Sequence, residues 1–191
     1  MPKVGMEPIR KAALVEAAIA EIGAAGSLDV TVGAISRRAG MSSALAHHYF
    51  GGKDQIFLAA MRHILTVFGA DVRARLGEAE TPRERLAAVV AASFAPENFQ
   101  PHVISAWLSF YVQAQTSAEA MRLLRVYQRR LHSNLLAGLR PLCGPRADQI
   151  AQAAAALIDG LYIRAALDPA QDLAAAPETV MTYLDLQVNQ R

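Results

Sequence analysis

The chain has 191 residues and is 53% hydrophobic, with alanine and leucine supplying most of that share, so it can bury a substantial core and is not a disordered chain. Its net charge of +2 is too small to announce a polyanionic partner by itself, and its single cysteine, Cys143, excludes an intramolecular disulfide and a cysteine-based zinc site. No charge-free apolar run reaches the roughly 18 residues that cross a bilayer, because the most apolar stretch, 150–167, contains Gln152, Asp159 and Arg164. No apolar segment follows the basic residues of the opening, so a soluble, cytoplasmic protein without a secretory signal is expected.

In chain order, Leu14, Ala17, Ala18 and Ile22 recur at helical spacing and predict a first helix over Pro8–Ala25, with Gly26 as its stop. Thr31 is an N-cap candidate for a short second helix through Ala39, which Gly40 interrupts. Ser42 caps an equally short third helix that the Gly51-Gly52 pair closes. Phe57, Ala60, Ile64, Phe68 and Val72 then hold one stripe from Lys53 to about Leu76, a helix long enough to link two domains. Thr81-Pro82-Arg83-Glu84 has the form of a capping box with proline at the first helical position, and starts a fifth helix through about Phe94. The segment 95–101 reads as a loop. A sixth helix is expected over His102–Gln115, and a seventh from a second capping box at 116–119 to about Leu139, ended by Pro141, Gly144 and Pro145. Two more follow, Arg146–Leu167 and Pro177–Gln190, separated by a Pro/Asp/Ala loop. The expected fold class is all-α, about nine helices with no strand.

Two short helices joined by a glycine turn and packed on a longer one are what a helix-turn-helix requires. Its second helix enters the major groove by its N-terminal end, where small polar side chains such as Ser42 and Ser43 fit, while Tyr49 and Lys53 at the far end suit phosphate contacts. Charge is distributed accordingly: residues 1–75 carry nine Lys and Arg against six Asp and Glu, and residues 76–191 carry ten against eleven. The stretch TVGAISRRAGMSSALAHHYFGGKDQI, residues 31–56, resembles the TetR-family signature at Thr31-Val32, Ile35, Ala39-Gly40, Ser42, Tyr49-Phe50, Lys53 and Ile56. It departs from the commonest pattern at Ala44, Leu45 and His47. The resemblance implies a DNA-binding domain over residues 1–53 and a helical effector-binding and dimerisation domain over 54–191. It also implies that Thr31 and Lys53 contact phosphate, that Tyr49 contacts the backbone, and that Ser43, Ala44, His47 and His48 face or border the bases of a palindromic operator.

MPKVGM at the start, SSALAHHYFGGKD, AWLSFY at 106–111 and LIDGLYIRAAL at 157–167 resemble one branch of that family, the BetI-type repressors of the choline-to-glycine-betaine pathway. This implies a repressor of osmoprotectant synthesis released by choline. A quaternary ammonium offers no hydrogen-bond donor, so a protein captures it with aromatic faces and sometimes a carboxylate. Trp107, Phe110 and Tyr111 fall at i, i+3 and i+4, and Asp159 and Tyr162 at i and i+3. Two such helices facing one another would form a cage, and the same spacing also suits ordinary core packing; the resemblance favours the cage.

An enzyme is disfavoured. His47 and His48 are adjacent, His63, His102 and His132 lack the spacing of a metal-binding pair, and neither a nucleophile elbow nor a phosphate loop is present, so no metal and no cofactor are expected. The arginines of 122–140 would let a helical adaptor lie on an anionic membrane, but a solvated face explains them better, and no membrane partner is expected. A homodimer seam is expected on the last two helices, at Ala153, Leu157, Leu161, Tyr183 and Leu186.

Overall fold

The computed structural model describes residues 5–27, 29–168 and 174–190. Residues 1–4, part of the opening motif, and residues 169–173 of the Pro/Asp/Ala loop lie outside this set. Among the described residues there are nine α-helices and no strand: α1 Met6–Ala25, α2 Val32–Arg38, α3 Ser43–Phe50, α4 Lys53–Glu78, α5 Pro82–Ser93, α6 Pro101–Ala114, α7 Ala118–Cys143, α8 Ala147–Leu167 and α9 Ala175–Asn189. They form two compact units, one drawn from Met1–Thr66 and Gln100–Met121, the other from Val67–Phe99 and Arg122–Arg191. Compactness thus assigns α6 to the unit of the first three helices, whereas the division expected at residue 53 follows the chain.

In the first unit α1 starts two residues before Pro8, which sits in the first turn, where a backbone N–H has no intrahelical acceptor to lose. Leu14, Ala18 and Ile22 on its inner face are almost fully buried. Helix α1 packs along α6 and against α2, which in turn packs on α3. The α1–α6 approach is backbone-close: a Cβ on Gly23 would fall 2.2 Å from His102 Cβ and 2.5 Å from its Cα. Two turns further along α6, Phe110 is fully buried with its ring 6.4 Å from that of Phe57.

In the second unit the capping box of α5 is complete. Thr81 Oγ1 accepts from the Glu84 amide at 3.2 Å, and Glu84 Oε2 accepts from the amides of Thr81 and Glu80 at 3.1 and 2.8 Å. Those two backbone donors hold the Glu84 carboxyl below its ordinary pKa. The expected loop after α5 contains a 3-10 turn, Pro96–Phe99, because Asn98 Nδ2 reaches back 2.8 Å to the Ala92 carbonyl and closes the helix end. Helices α8 and α9 pack together, and α5 packs on both. Arg83 on α5 grips Asp185 on α9 with two nitrogens, at 3.0 and 2.6 Å. Both side chains are solvated, so this pair fixes register more than it stabilises.

Two expected boundaries are corrected. The second capping box does not form: Ser117, one residue later than expected, caps α7 by accepting from the Ala120 amide at 3.2 Å, while the Thr116 hydroxyl donates to the Gln113 carbonyl. Glu119 is therefore free to accept from Gln55 Nε2 at 2.7 Å. Pro141 does not end α7, which continues to Cys143. The carbonyl deprived of its donor there belongs to Ala137, which is exposed and can be served by water. Two helical runs, Lys53–Glu78 and Ala118–Leu167, are long and apolar enough to cross a bilayer by length and composition. In the first, 44% of the apolar window is buried inside the protein; the second is interrupted at Gly144–Arg146 and exposes Arg122, Arg125, Arg129 and Arg130.

Candidate functional site

The first candidate site lies on α2 and α3. Thr31 Oγ1 caps α2 by accepting from the Ala34 amide at 3.1 Å, which leaves its hydroxyl hydrogen able to donate to an anion. Ser42 Oγ caps α3 in the same way, from the Leu45 amide at 3.3 Å. Between the helices the chain turns through Gly40 at φ +66, a left-handed conformation that a side chain would strain. Ile35 and Ala46 are buried on the inner faces. The outward face of α3 therefore presents Ser43, Ala44, His47 and His48 to solvent, with Lys53 exposed at the start of α4. Small side chains lead this face, so the helix can approach a groove floor closely.

Several of these side chains are already held. His47 Nδ1 lies 3.2 Å from the Gly51 carbonyl, so this ring also closes its own helix. Tyr49 is half-buried, with the Lys11 ammonium 5.7 Å from its ring centroid and the His48 ring 5.5 Å away. Lys11 is itself paired with Glu7 at 2.7 Å. Arg38 is ion-paired with Glu21, tying α2 to α1, whereas Arg37, its neighbour, is exposed. Lys11 and Arg37 belong to the basic surface of this unit and were not singled out from sequence. Their signal is weak, because one exposed cation per helix turn is ordinary.

The second set of candidates divides between the two units. On α6, in the first unit, the Trp107 ring lies 5.9 Å from both the Phe110 and Tyr111 rings, edge-on to the former. Phe110 belongs to the core, Trp107 is buried, and Tyr111 is half-buried. In the second unit, Asp159 Oδ1 accepts from the Tyr127 hydroxyl at 2.8 Å, and the Tyr127 ring stands 6.0 Å from that of Phe68. The Tyr162 hydroxyl donates to the Asn98 carbonyl at 2.9 Å, with its ring 4.9 Å from Phe99. Burial raises the Asp159 pKa, and the Tyr127 hydrogen bond partly opposes the rise. Burial also pushes the Tyr162 phenol up, so it stays a neutral donor. A partly desolvated carboxylate bonded to one tyrosine and followed one turn later by another can attract a cation.

Tyr127, Phe68 and Phe99 were missed from sequence. Leu124 and Leu131, three residues before and four after Tyr127, mark the inner face of α7 and could have pointed to its direction, but nothing local pairs it with Asp159, 32 residues away.

Comparison with known proteins divides the chain along its sequence instead. Residues 14–60 match the family model of bacterial regulatory proteins of the TetR family, and residues 82–189 match that of the C-terminal region of BetI-type transcriptional repressors. The chain is 54% identical over 190 residues to the HTH-type transcriptional regulator BetI of Brucella anthropi, covering 98% of each chain. It is 53% identical over 190 residues to that of Agrobacterium fabrum, covering 98% of this chain and 92% of the relative. Among solved structures, a transcriptional regulator from Pseudomonas aeruginosa superposes with a TM-score of 0.84 at 25% identity, covering 95% of this chain and 91% of the other. A regulator from Saccharomonospora viridis, solved in complex with choline, superposes with a TM-score of 0.80 at 21% identity, covering 95% and 98%.

Proposed function

Since the chain belongs to the TetR family and is a transcriptional repressor of the BetI type, we propose that choline is its effector and that its targets are the genes converting choline to glycine betaine. Proteins of this family bind operator DNA as dimers and are not enzymes. The reading assigns operator recognition to residues 1–53 and effector binding with dimerisation to residues 54–191. The α2–α3 face, with Thr31, Ser42, Tyr49 and Lys53 on phosphates and Ser43, Ala44, His47 and His48 at or beside bases, meets the DNA. The observation that carries the choline assignment is Asp159, a half-buried carboxylate hydrogen-bonded to Tyr127 and followed one turn later by Tyr162. A regulator of the same fold, from Saccharomonospora viridis, was solved with choline, which supports the same ligand here. Trp107, Phe110 and Tyr111 are the aromatic candidates of the first unit for the same effector.

The dimer seam is assigned to α8 and α9. Ala153 and Leu186 are exposed, as a seam requires, and Leu157, Leu161 and Tyr183 are half-buried. Gly160 extends the exposed small-residue face of α8, so a partner helix can approach closely.

A mobility shift on the DNA upstream of the gene, titrated with choline, tests the whole reading. The full-length dimer is expected to bind and to be released by choline, with coupling of about 1–3 kcal/mol. Trp107→Ala is expected to raise the choline needed for release, by up to the roughly 0.5–2 kcal/mol of a cation–π contact, and to leave ligand-free binding intact. Operator binding that choline leaves unchanged would assign the repressor to another ligand.

On the DNA side, Lys53→Ala is expected to weaken operator and unrelated DNA equally and to lower the salt slope by about one, because a phosphate contact carries no sequence information. Ser43→Ala is expected instead to change operator preference more than general affinity. Equal losses on all DNA for Ser43→Ala would remove it from the base-reading set.

A further inference from the structure

Neither operator recognition nor choline binding uses the arginines exposed along α7. Two of them, Arg125 and Arg129, stand one turn apart on the wall of a cleft of about 500 Å3 inside the second unit. Gln128 and His132 complete the α7 wall, and Gln152 and Asp159 stand on the α8 wall, with two alanines between. The walls carry opposite charges that do not meet. Among the described residues neither arginine has a carboxylate within ion-pair distance. Arg129 engages only its Nε, toward the Arg125 carbonyl at 3.3 Å, and Asp159 engages only Oδ1, with Tyr127. Gln152 donates through Nε2 to Asp148 at 2.8 Å, which orients its amide but leaves the oxygen as an acceptor.

We propose that this cleft binds a small zwitterion bearing N–H donors, of the α-amino acid class. Its carboxylate sits on the Arg125 and Arg129 guanidinium groups, and its ammonium donates to Asp159 and to glutamine side-chain oxygens. Opposite charges separated by more than ion-pair distance are satisfied together by a ligand carrying both charges in reversed order. A simple carboxylate meets the α7 wall but faces Asp159 as a like charge, and a simple amine meets the reverse. No aromatic ring is among the described lining residues, so the cleft lacks the faces that hold a quaternary ammonium, whereas it is rich in groups that accept N–H bonds. The proposal therefore goes beyond choline binding. Asp159 is common to both readings; the two arginines belong to this one alone.

Calorimetric titration of the full-length protein with glycine, L-alanine and L-glutamine, and separately with acetate and methylammonium, tests it. At least one amino acid is expected to saturate, with acetate and methylammonium each about tenfold weaker or more, the loss expected when one charge-assisted contact is missing. The double variant Arg125→Ala/Arg129→Ala is expected to lose at least about tenfold in amino-acid affinity. Both side chains are solvent-exposed, so its melting temperature and its choline titration should match the parent. The proposal is overturned if no amino acid saturates, if acetate binds as tightly as the best amino acid, or if the double variant binds as the parent does. Amino-acid binding that depends on the arginines, in a protein whose operator binding ignores choline, upholds the cleft and removes only the choline reading.

Discussion

Gly23→Ala is expected to destabilise the protein, against the usual sign of such a change. A glycine inside a helix is about 1 kcal/mol worse than alanine, so the substitution normally stabilises. At Gly23 the added Cβ would fall 2.2 Å from His102 Cβ and 2.5 Å from His102 Cα. Neither atom can rotate away, since both are fixed by the α6 backbone, so α1 and α6 must part by more than an ångström along their contact. Overpacking of this kind costs roughly 1–3 kcal/mol, and more when the obstruction is main chain. For a chain of this length that corresponds to a fall of about 2–12 °C in melting temperature. Because α1 also supports α2, operator affinity should fall with it. Gly69→Ala is the control: it lies within α4, and its nearest obstruction is the flexible end of Arg73 at 3.4 Å, so it should melt at or above the parent temperature. A Gly23→Ala protein that melts no lower than the parent would show that the α1–α6 joint yields without cost.

The contrast between those glycines shows what a sequence carries. Several helix limits were legible from local signals: Thr31, Ser42 and the Thr81–Glu84 box cap the helices predicted for them, and Gly26 and Gly40 stop theirs, both at positive φ. The second capping box failed although Thr116 fits the pattern: Ser117, which has Ala120 and not an acid three residues on, takes the cap, and Glu119 instead accepts from Gln55, 64 residues away in sequence. Gly23 gave no local sign of its role, since close packing depends on which helix lies opposite. The candidate effector residues divide in the same way. Asp159 and Tyr162 were legible from helical spacing together with family resemblance, whereas Tyr127, Phe68 and Phe99 join them only through tertiary packing. The residues proposed to face DNA all lie in one local stretch, because a helix-turn-helix packs its determinants together. Even there, the contacts of Lys11 with Tyr49 and of Arg38 with Glu21 depend on how α1 crosses the motif.

Choline affinity is expected to rise with pH and to lose that dependence in Asp159→Asn. Burial raises the pKa of Asp159, so a fraction of the ligand-free protein stays protonated above the ordinary carboxylate range. Only the ionised form attracts a quaternary ammonium. Binding must therefore draw the pKa back down and release a proton, which calorimetry in buffers of different ionisation enthalpy measures directly. The stability effect has the opposite sign. With the folded pKa above the unfolded one, the native state binds more protons across the window between them, so stability falls as pH rises through that window and stays reduced above it. Asparagine removes this cost and keeps an acceptor for the Tyr127 hydroxyl. Asp159→Asn should thus melt at or above the parent temperature at neutral pH, yet bind choline about tenfold or more weakly, consistent with loss of one charge-assisted contact. By linkage, its operator complex should need correspondingly more choline for release, while ligand-free DNA binding is unchanged. A structural role predicts the reverse pairing: a lower melting temperature with the parent's choline affinity and pH dependence. That result would remove Asp159 from the effector site.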